Sequence, residues 1–339
     1  MSKEVKVAII GLDTSHAVEF PRRMQAPDYD PAFKVSGLRA VSCLRFETPF
    51  QDKNGLDARQ RQLEAWGIKV TERLDEAVAG CDAIMLEIND PAYHLEYFKQ
   101  VATLGKRVFI DKPLADNIVH GAEMARIARE NRLEVISASP LRFVPELVEA
   151  CATIGDAKFA SVFGPLGKAP AGSSVVWYGV HAFEMLERIL GRGALSVAVT
   201  RDGVGAVAVV DYPDRKRGVV ELSTTSYKYG GTIRTNDQVA AYLVDSNMYT
   251  ETLKDVERFF RTGKASLILD DAVEVMALLD AADRSFASGR TEPVYLGGGG
   301  RSGAGFCRNL SGTPMPRTGY AISPWHGHPA HIGPPFSNS

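Results

Sequence analysis

Three short segments of this 339-residue chain carry residue types that could do chemistry. The first is Gly11-Leu12-Asp13-Thr14-Ser15-His16, between the apolar run Val5 to Ile10 and a helical stretch. A strand that enters a glycine turn and leaves as a helix offers backbone N–H groups and a helix N-terminus to an anion. In a Rossmann-type sheet, that turn holds a dinucleotide pyrophosphate. The usual fingerprint has three glycines, whereas only Gly11 stands here, and Asp13 brings a carboxylate to the expected phosphate. Thr14, Ser15 and the helix amides remain as donors. The same residues also read as a plain helix start, with Asp13, Thr14 or Ser15 at the N-cap. The second segment is Asp111-Lys112-Pro113, at the end of a strand and on the edge where open α/β sheets place their ligand crevice. A lysine there can donate a proton or a hydrogen bond to a substrate hydroxyl; alternatively it is a surface charge. The third is Arg45, after the strand Leu38 to Leu44, where an acidic residue ordinarily grips the adenosine ribose. A cation at that point meets a 2′-phosphate, favouring NADP, or is simply solvated.

Two further patches invite a chemical reading. His326, His328 and His331 could ligate a transition metal. They lie among Pro and Gly without an acidic ligand, so they are assigned to a tail and no metal site is expected. Arg215-Lys216-Arg217 reads as a solvated turn. Tyr227, Lys228 and Tyr229 either touch substrate or pack at a sheet surface or subunit interface.

The elements that must position these residues fall into three parts. Residues 1–137 alternate apolar strands (Val5 to Ile10, Leu38 to Leu44, Ala83 to Ile88, Arg107 to Ile110, Leu133 to Ser137) with amphipathic helices (Ala58 to Trp66, Tyr93 to Leu104, Ile118 to Asn131). Near-continuous apolar strands alternating with helices predict a doubly wound parallel sheet covered on both faces. Residues 138–296 hold longer strands joined by tight turns, at Ala157 to Phe163, Leu195 to Thr200, Ala206 to Tyr212 and Gly218 to Ser226. Helices Tyr178 to Leu190, Tyr249 to Arg261 and Asp271 to Ser288 are expected to cover one face of that sheet. This predicts an α+β domain with a largely antiparallel open sheet. Residues 297–339 hold ten of the chain's 31 glycines, and no Asp or Glu. They predict an irregular arm.

Composition narrows the class. A net charge of -2 gives no electrostatic footprint for nucleic acid or an anionic membrane. Cys43, Cys81, Cys151 and Cys307 are far apart, which argues against a disulfide framework and for a reducing compartment. The N-terminus lacks a signal-peptide core, and no run of 18 apolar residues exists. A soluble cytoplasmic protein is expected.

Several segments, taken together and in order, resemble the Gfo/Idh/MocA family (glucose-fructose oxidoreductase, inositol dehydrogenase and relatives). Asp111-Lys112-Pro113 resembles its Glu-Lys-Pro motif, and Ala102 to Lys112 the stretch leading into it. Asn89-Asp90-Pro91 with His94 resembles its Thr-Pro-Asn turn and following histidine. Arg142-Phe143-Val144-Pro145 resembles its entry into the second domain, Ile154-Gly155-Asp156 a following turn, and Gly179-Val180-His181 its Gly-x-His motif. Gly263, Asp270-Asp271-Ala272, Ser285 and Gly289 resemble its closing helices, so the likeness runs from about residue 4 to 296.

The resemblance implies an NAD- or NADP-dependent oxidoreductase acting on a sugar, cyclitol or related polyol. Lys112 would hydrogen-bond the reacting hydroxyl and His181 would assist proton transfer, for which its reference pKa is suited. The cofactor would meet Gly11 to His16, Arg45, Asn89, Asp90, His94 and Asp111 to Pro113. The substrate would meet Lys112, Trp177, Tyr178 and His181. A homo-oligomer, dimer or tetramer, would form through the open sheet. Two departures stand out beside the missing glycines: Trp177 replaces the usual aspartate, and Glu184 replaces a later Asp. A non-catalytic ligand-binding homologue of the same fold is the alternative that these departures motivate.

Overall fold

The computed structural model describes residues 4–297; the expected arm, with His326, His328 and His331, lies outside them. Within the described residues, six short strands form the first sheet: β1 (Val5–Ile10), β2 (Leu38–Leu44), β3 (Lys69–Thr71), β4 (Ala83–Leu86), β5 (Arg107–Asp111) and β6 (Val135–Ala138). All pairs are parallel, in the order β3-β2-β1-β4-β5-β6. Between them run α1 (His16–Gln25), α2 (Lys53–Ala65), α3 (Leu74–Ala77), α4 (His94–Ala102) and α5 (Ile118–Glu130). Parallel strands need such crossovers, and helices on both faces explain why β1 and β4 are buried without alternation. The order reverses between β1 and β4, so the ligand crevice opens at their C-terminal ends. Gly11, Glu87 and Asp111 stand at that edge.

Gly11 is required there by geometry. Its φ is +107°, and a Cβ would lie 2.4 Å from the carbonyl oxygen of Glu87. An L side chain is excluded both by backbone conformation and by contact.

The second half contains α6 (Pro145–Ile154), β7 (Phe159–Pro165), α7 (Ser174–Trp177), α8 (Val180–Leu190), β8 (Ser196–Arg201), β9 (Gly205–Asp211), β10 (Arg217–Ser223), β11 (Gly230–Arg234), β12 (Val239–Leu243), α9 (Met248–Thr262), α10 (Leu269–Ser288) and β13 (Glu292–Pro293). The seven strands form a mixed sheet, β12-β11-β7-β10-β9-β8-β13, antiparallel except for the β7–β10 pair. The alternating burial of β9 and β10 marks one face turned inward and one left open. α8 packs beneath it and is buried almost all round, from Val180 to Glu187. One expectation is corrected here. α9 does not cover the second sheet: Leu253, Val256, Phe259 and Phe260 join Val7, Ile9, Phe20 and Phe109 in the core of the first. Their spacing makes a helical stripe, and it meets the aromatic surface formed by α1 and β5.

Candidate active site

The loop after β1 is held by its own polar side chains. Asp13 is buried and turned onto the loop after β4: Oδ1 accepts from Asn89 N–H at 2.8 Å, and Oδ2 from Asp90 N–H at 3.3 Å and Thr48 Oγ1 at 2.7 Å. Arg59 donates to Leu12 O at 2.9 Å. The carboxylate feared as a phosphate repellent is thus occupied by three donors. Ser15 takes the N-cap position of α1 without a capping side-chain bond, while Thr14 Oγ1 accepts from His16 N–H at 3.2 Å. The N–H groups of Leu12, Asp13, Thr14 and Ser15 find no protein acceptor among the described residues. Four unpaired donors beside a helix start, with the Gly11 turn intact, suit a pyrophosphate.

At the ends of β4 and β5 lies a buried group of ionisable side chains. His16 Nδ1 stands 2.8 Å from Asp111 Oδ2, both buried, though not aligned as a hydrogen bond. Burial pushes Asp111 up, but the neighbouring His16 and Lys112 outweigh it and hold the carboxyl below the usual range. Glu87 is fully buried and neither carboxylate oxygen has a hydrogen-bond partner among the described residues. Desolvation, reinforced by Asp111, pushes its carboxyl well above the ordinary value. The Lys112 side chain, in a residue 4% exposed, makes no hydrogen bond or ion pair with any described residue, and the peptide to Pro113 is cis.

His181 comes from the first turn of α8. Its Nδ1 lies 2.6 Å from Ser139 Oγ, which also accepts from Leu141 N–H at 3.2 Å. The ring sits edge-on to Tyr178 and Tyr229, at 5.3 and 5.7 Å between centroids. Burial, then the charges of Lys112 and His16, press its pKa well below the ordinary value, so the imidazole is neutral near pH 7. Glu184, one turn on, takes Ser139 N–H at 3.2 Å and faces Arg142 at 3.3 Å; Arg142 also binds Glu187. Glu184 therefore belongs to a buried ion network behind His181. Trp177 reaches across to the first half: its Nε1–H donates to Asn89 Oδ1 at 2.9 Å, and its ring lies against Phe50 and Tyr178.

Other residues expected at the cofactor are engaged within the protein. His94 is fully buried with both ring nitrogens against carbonyls, Nδ1 on Leu114 and Nε2 on Ile88, so it locks the α4 entry and has no nitrogen left for a ligand. Arg45 is tied to Gln60 and Asp57 at 2.5 Å each. Together with Arg73 it lines a shallow recess of about 390 Å³ beyond the ends of β2 and β3. Asp90 caps the following turn through Ala92 N–H, and Leu12, Asp111 and Pro113 are buried. Sequence reasoning passed over Glu87, Ser139 and Tyr249, whose ring lies 5.0 Å from His16. Glu87 had a signal: one carboxylate interrupting Ala83 to Ile88 at the strand end. Ser139 had none.

A model of the oxidoreductase family with an NAD-binding Rossmann fold (GFO_IDH_MocA) matches residues 50–138. The YceM protein of Salmonella typhimurium is 27% identical over 101 residues, 30% of this chain and 33% of its own. The chain thus aligns with about a third of that relative's length. Among solved structures, GenD2 from gentamicin A biosynthesis, in complex with NAD, superposes with a TM-score of 0.70 at 18% identity, over 87% of this chain and 97% of its own. The myo-inositol dehydrogenase of Corynebacterium glutamicum gives 0.70 at 16%, over 86% and 99%. The scyllo-inositol dehydrogenase of Lactobacillus casei, with NAD(H) and scyllo-inositol bound, gives 0.69 at 13%, over 86% and 99%. At such identities these likenesses establish the fold. The family match over residues 50–138 adds that this part of the first sheet is similar to the NAD-binding Rossmann fold of the GFO_IDH_MocA oxidoreductase family.

Proposed function

We propose that this chain is a nicotinamide-dependent oxidoreductase that moves hydride between NAD or NADP and a sugar, cyclitol or related polyol. The observation that carries this reading is Lys112: a buried lysine with no direct ion pair among the described residues, at the crevice edge of a Rossmann-type sheet. A structural lysine would be paired or solvated. The free N–H groups from Leu12 to Ser15 support binding of the cofactor pyrophosphate.

Oxidation of a carbinol removes a hydride from carbon and a proton from oxygen. The bound nicotinamide supplies the hydride acceptor. Lys112 Nζ holds the reacting hydroxyl and stabilises negative charge on its oxygen. His181 takes the proton at Nε2. That role requires the tautomer in which Nδ1–H donates to Ser139 Oγ, which already receives Leu141 N–H. The depressed pKa of His181 keeps the base form available at neutral pH. Trp177 and Tyr178 offer aromatic faces beside it for a sugar ring. Association into a dimer or tetramer through the open sheet face is part of the same reading, and Val207, Val239 and Leu243 are exposed there. A monomeric mass in light scattering at micromolar concentration would refute that part.

The test is a fluorescence titration with NADH and NADPH, followed by a polyol panel. One cofactor should bind, and Lys112→Ala should abolish turnover. Binding of neither cofactor would overturn the reading. Binding without turnover on any polyol or sugar would favour a non-catalytic homologue.

A further inference from the structure

We propose that His16, Glu87 and Asp111 form a binding site for one divalent first-row cation, with Zn2+ the best fit. None of the three is near another in sequence; the switch in strand order brings them to one edge. One ligand atom from each lies within 4.8 Å of the others, and all three residues are buried. His16 Nδ1 and Asp111 Oδ2 are already 2.8 Å apart. Around Zn2+ at bonds of about 2.0–2.2 Å, tetrahedral ligand atoms stand about 3.4 Å apart, so only modest side-chain rotation is needed.

Glu87 supplies the independent observation. It is 0% exposed, and neither of its oxygens has a hydrogen-bond partner among the described residues. Buried carboxylates are paired, hydrogen-bonded or bound to metal; this one faces a histidine and a second carboxylate instead. Packing alone does not explain the choice, since a Leu or Gln in place of Glu87 would avoid the desolvation cost. One imidazole and two carboxylates suit Zn2+, and three protein ligands leave the fourth position open for an oxygen donor. Asp111 adjoins Lys112 in sequence, at the C-terminal edge of the first sheet. His16 and Asp111 are also among the residues that the resemblance assigns to the cofactor, whereas Glu87 is not. The cation site goes beyond that reading and does not rest on it.

The experiment uses the full chain stripped with chelator, and neither cofactor nor turnover enters. Calorimetric titration with Zn2+ should give one site of micromolar or tighter affinity and a rise in Tm. Co2+ should give the visible absorption of a low-coordinate N/O site. Glu87→Gln should keep an apo Tm at or above the wild type and lose at least about 100-fold in affinity, together with the Co2+ spectrum. His16→Ala should lose it as well; if that variant fails to fold, Glu87→Gln carries the test alone. No uptake by the wild type overturns the proposal. So does uptake that Glu87→Gln leaves unchanged, because the ion would then be held elsewhere, as by His326, His328 and His331.

Discussion

Replacing Glu184 by Gln should flatten the dependence of stability on pH. Glu184 is 3% exposed, and burial, only partly offset by Arg142, raises its carboxyl to about 7. In the unfolded chain it returns to about 4.5. Between those values the folded state binds the extra proton. Stability from this group is therefore full below about pH 4.5 and drains away as pH rises through 7. Integrated from pH 5 to pH 8, the loss is about 2–3 kcal/mol. In the variant, Gln Oε1 can still accept from Ser139 N–H, and Arg142 keeps Glu187. Other titrating groups are common to both proteins and cancel in the difference. Urea unfolding at pH 5, 6, 7 and 8 should show the wild type losing about 2–3 kcal/mol relative to Glu184→Gln. Parallel curves for the two proteins would mean that Glu184 stays ionised throughout, and would refute the reasoning.

Other substitutions probe the site directly. Gly11→Ala should cost more than about 2 kcal/mol in urea unfolding, because its Cβ meets the Glu87 carbonyl and φ is +107°. Ser139→Ala should lower kcat by up to about 100-fold and change the acid limb of its pH profile, since His181 loses the group that fixes its tautomer. Substrate KM should move little. Arg45→Ala should alter the ratio of NADPH to NADH affinity by less than about threefold, as the guanidinium is committed to Asp57 and Gln60; a larger change in fluorescence titrations would free it for the 2′-phosphate role.

Five of the six parallel strands were readable because they are near-continuous apolar runs between amphipathic helices; β3, only Lys69-Val70-Thr71, was not. β11 and β12 were not: Gly230-Gly231-Thr232-Ile233-Arg234 and Val239 to Leu243 carry little strand signal and gain their state by pairing with β7 and each other. The stripe on α9 was visible, but not which sheet it would meet. Lys112 and His181 came from motif likeness, and both lie in buried, polar surroundings of the C-terminal strand ends. His94 matched a motif equally well, yet its nitrogens are spent on backbone carbonyls. Spacing fixes neither tautomer nor partner. Glu87, Asp111 and His16 meet only through strand order, a long-range property that no local pattern encodes.

The turn of Asp13 onto Asn89 and Asp90 has a thermodynamic consequence. Thr48 binds Asp13, Asp13 binds Asn89, and Asn89 accepts Trp177, so loops after β1, β2 and β4 are joined in one line to the second half of the chain. Groups linked this way do not contribute independently. Double-mutant cycles pairing Asp13→Asn with Trp177→Phe should return a coupling energy of about 0.5 kcal/mol or more, although the two residues share no direct bond. The conformation of the Gly11 to Ser15 turn and the shape of the aromatic wall would then vary together, which makes the two sides of the crevice a single cooperative unit.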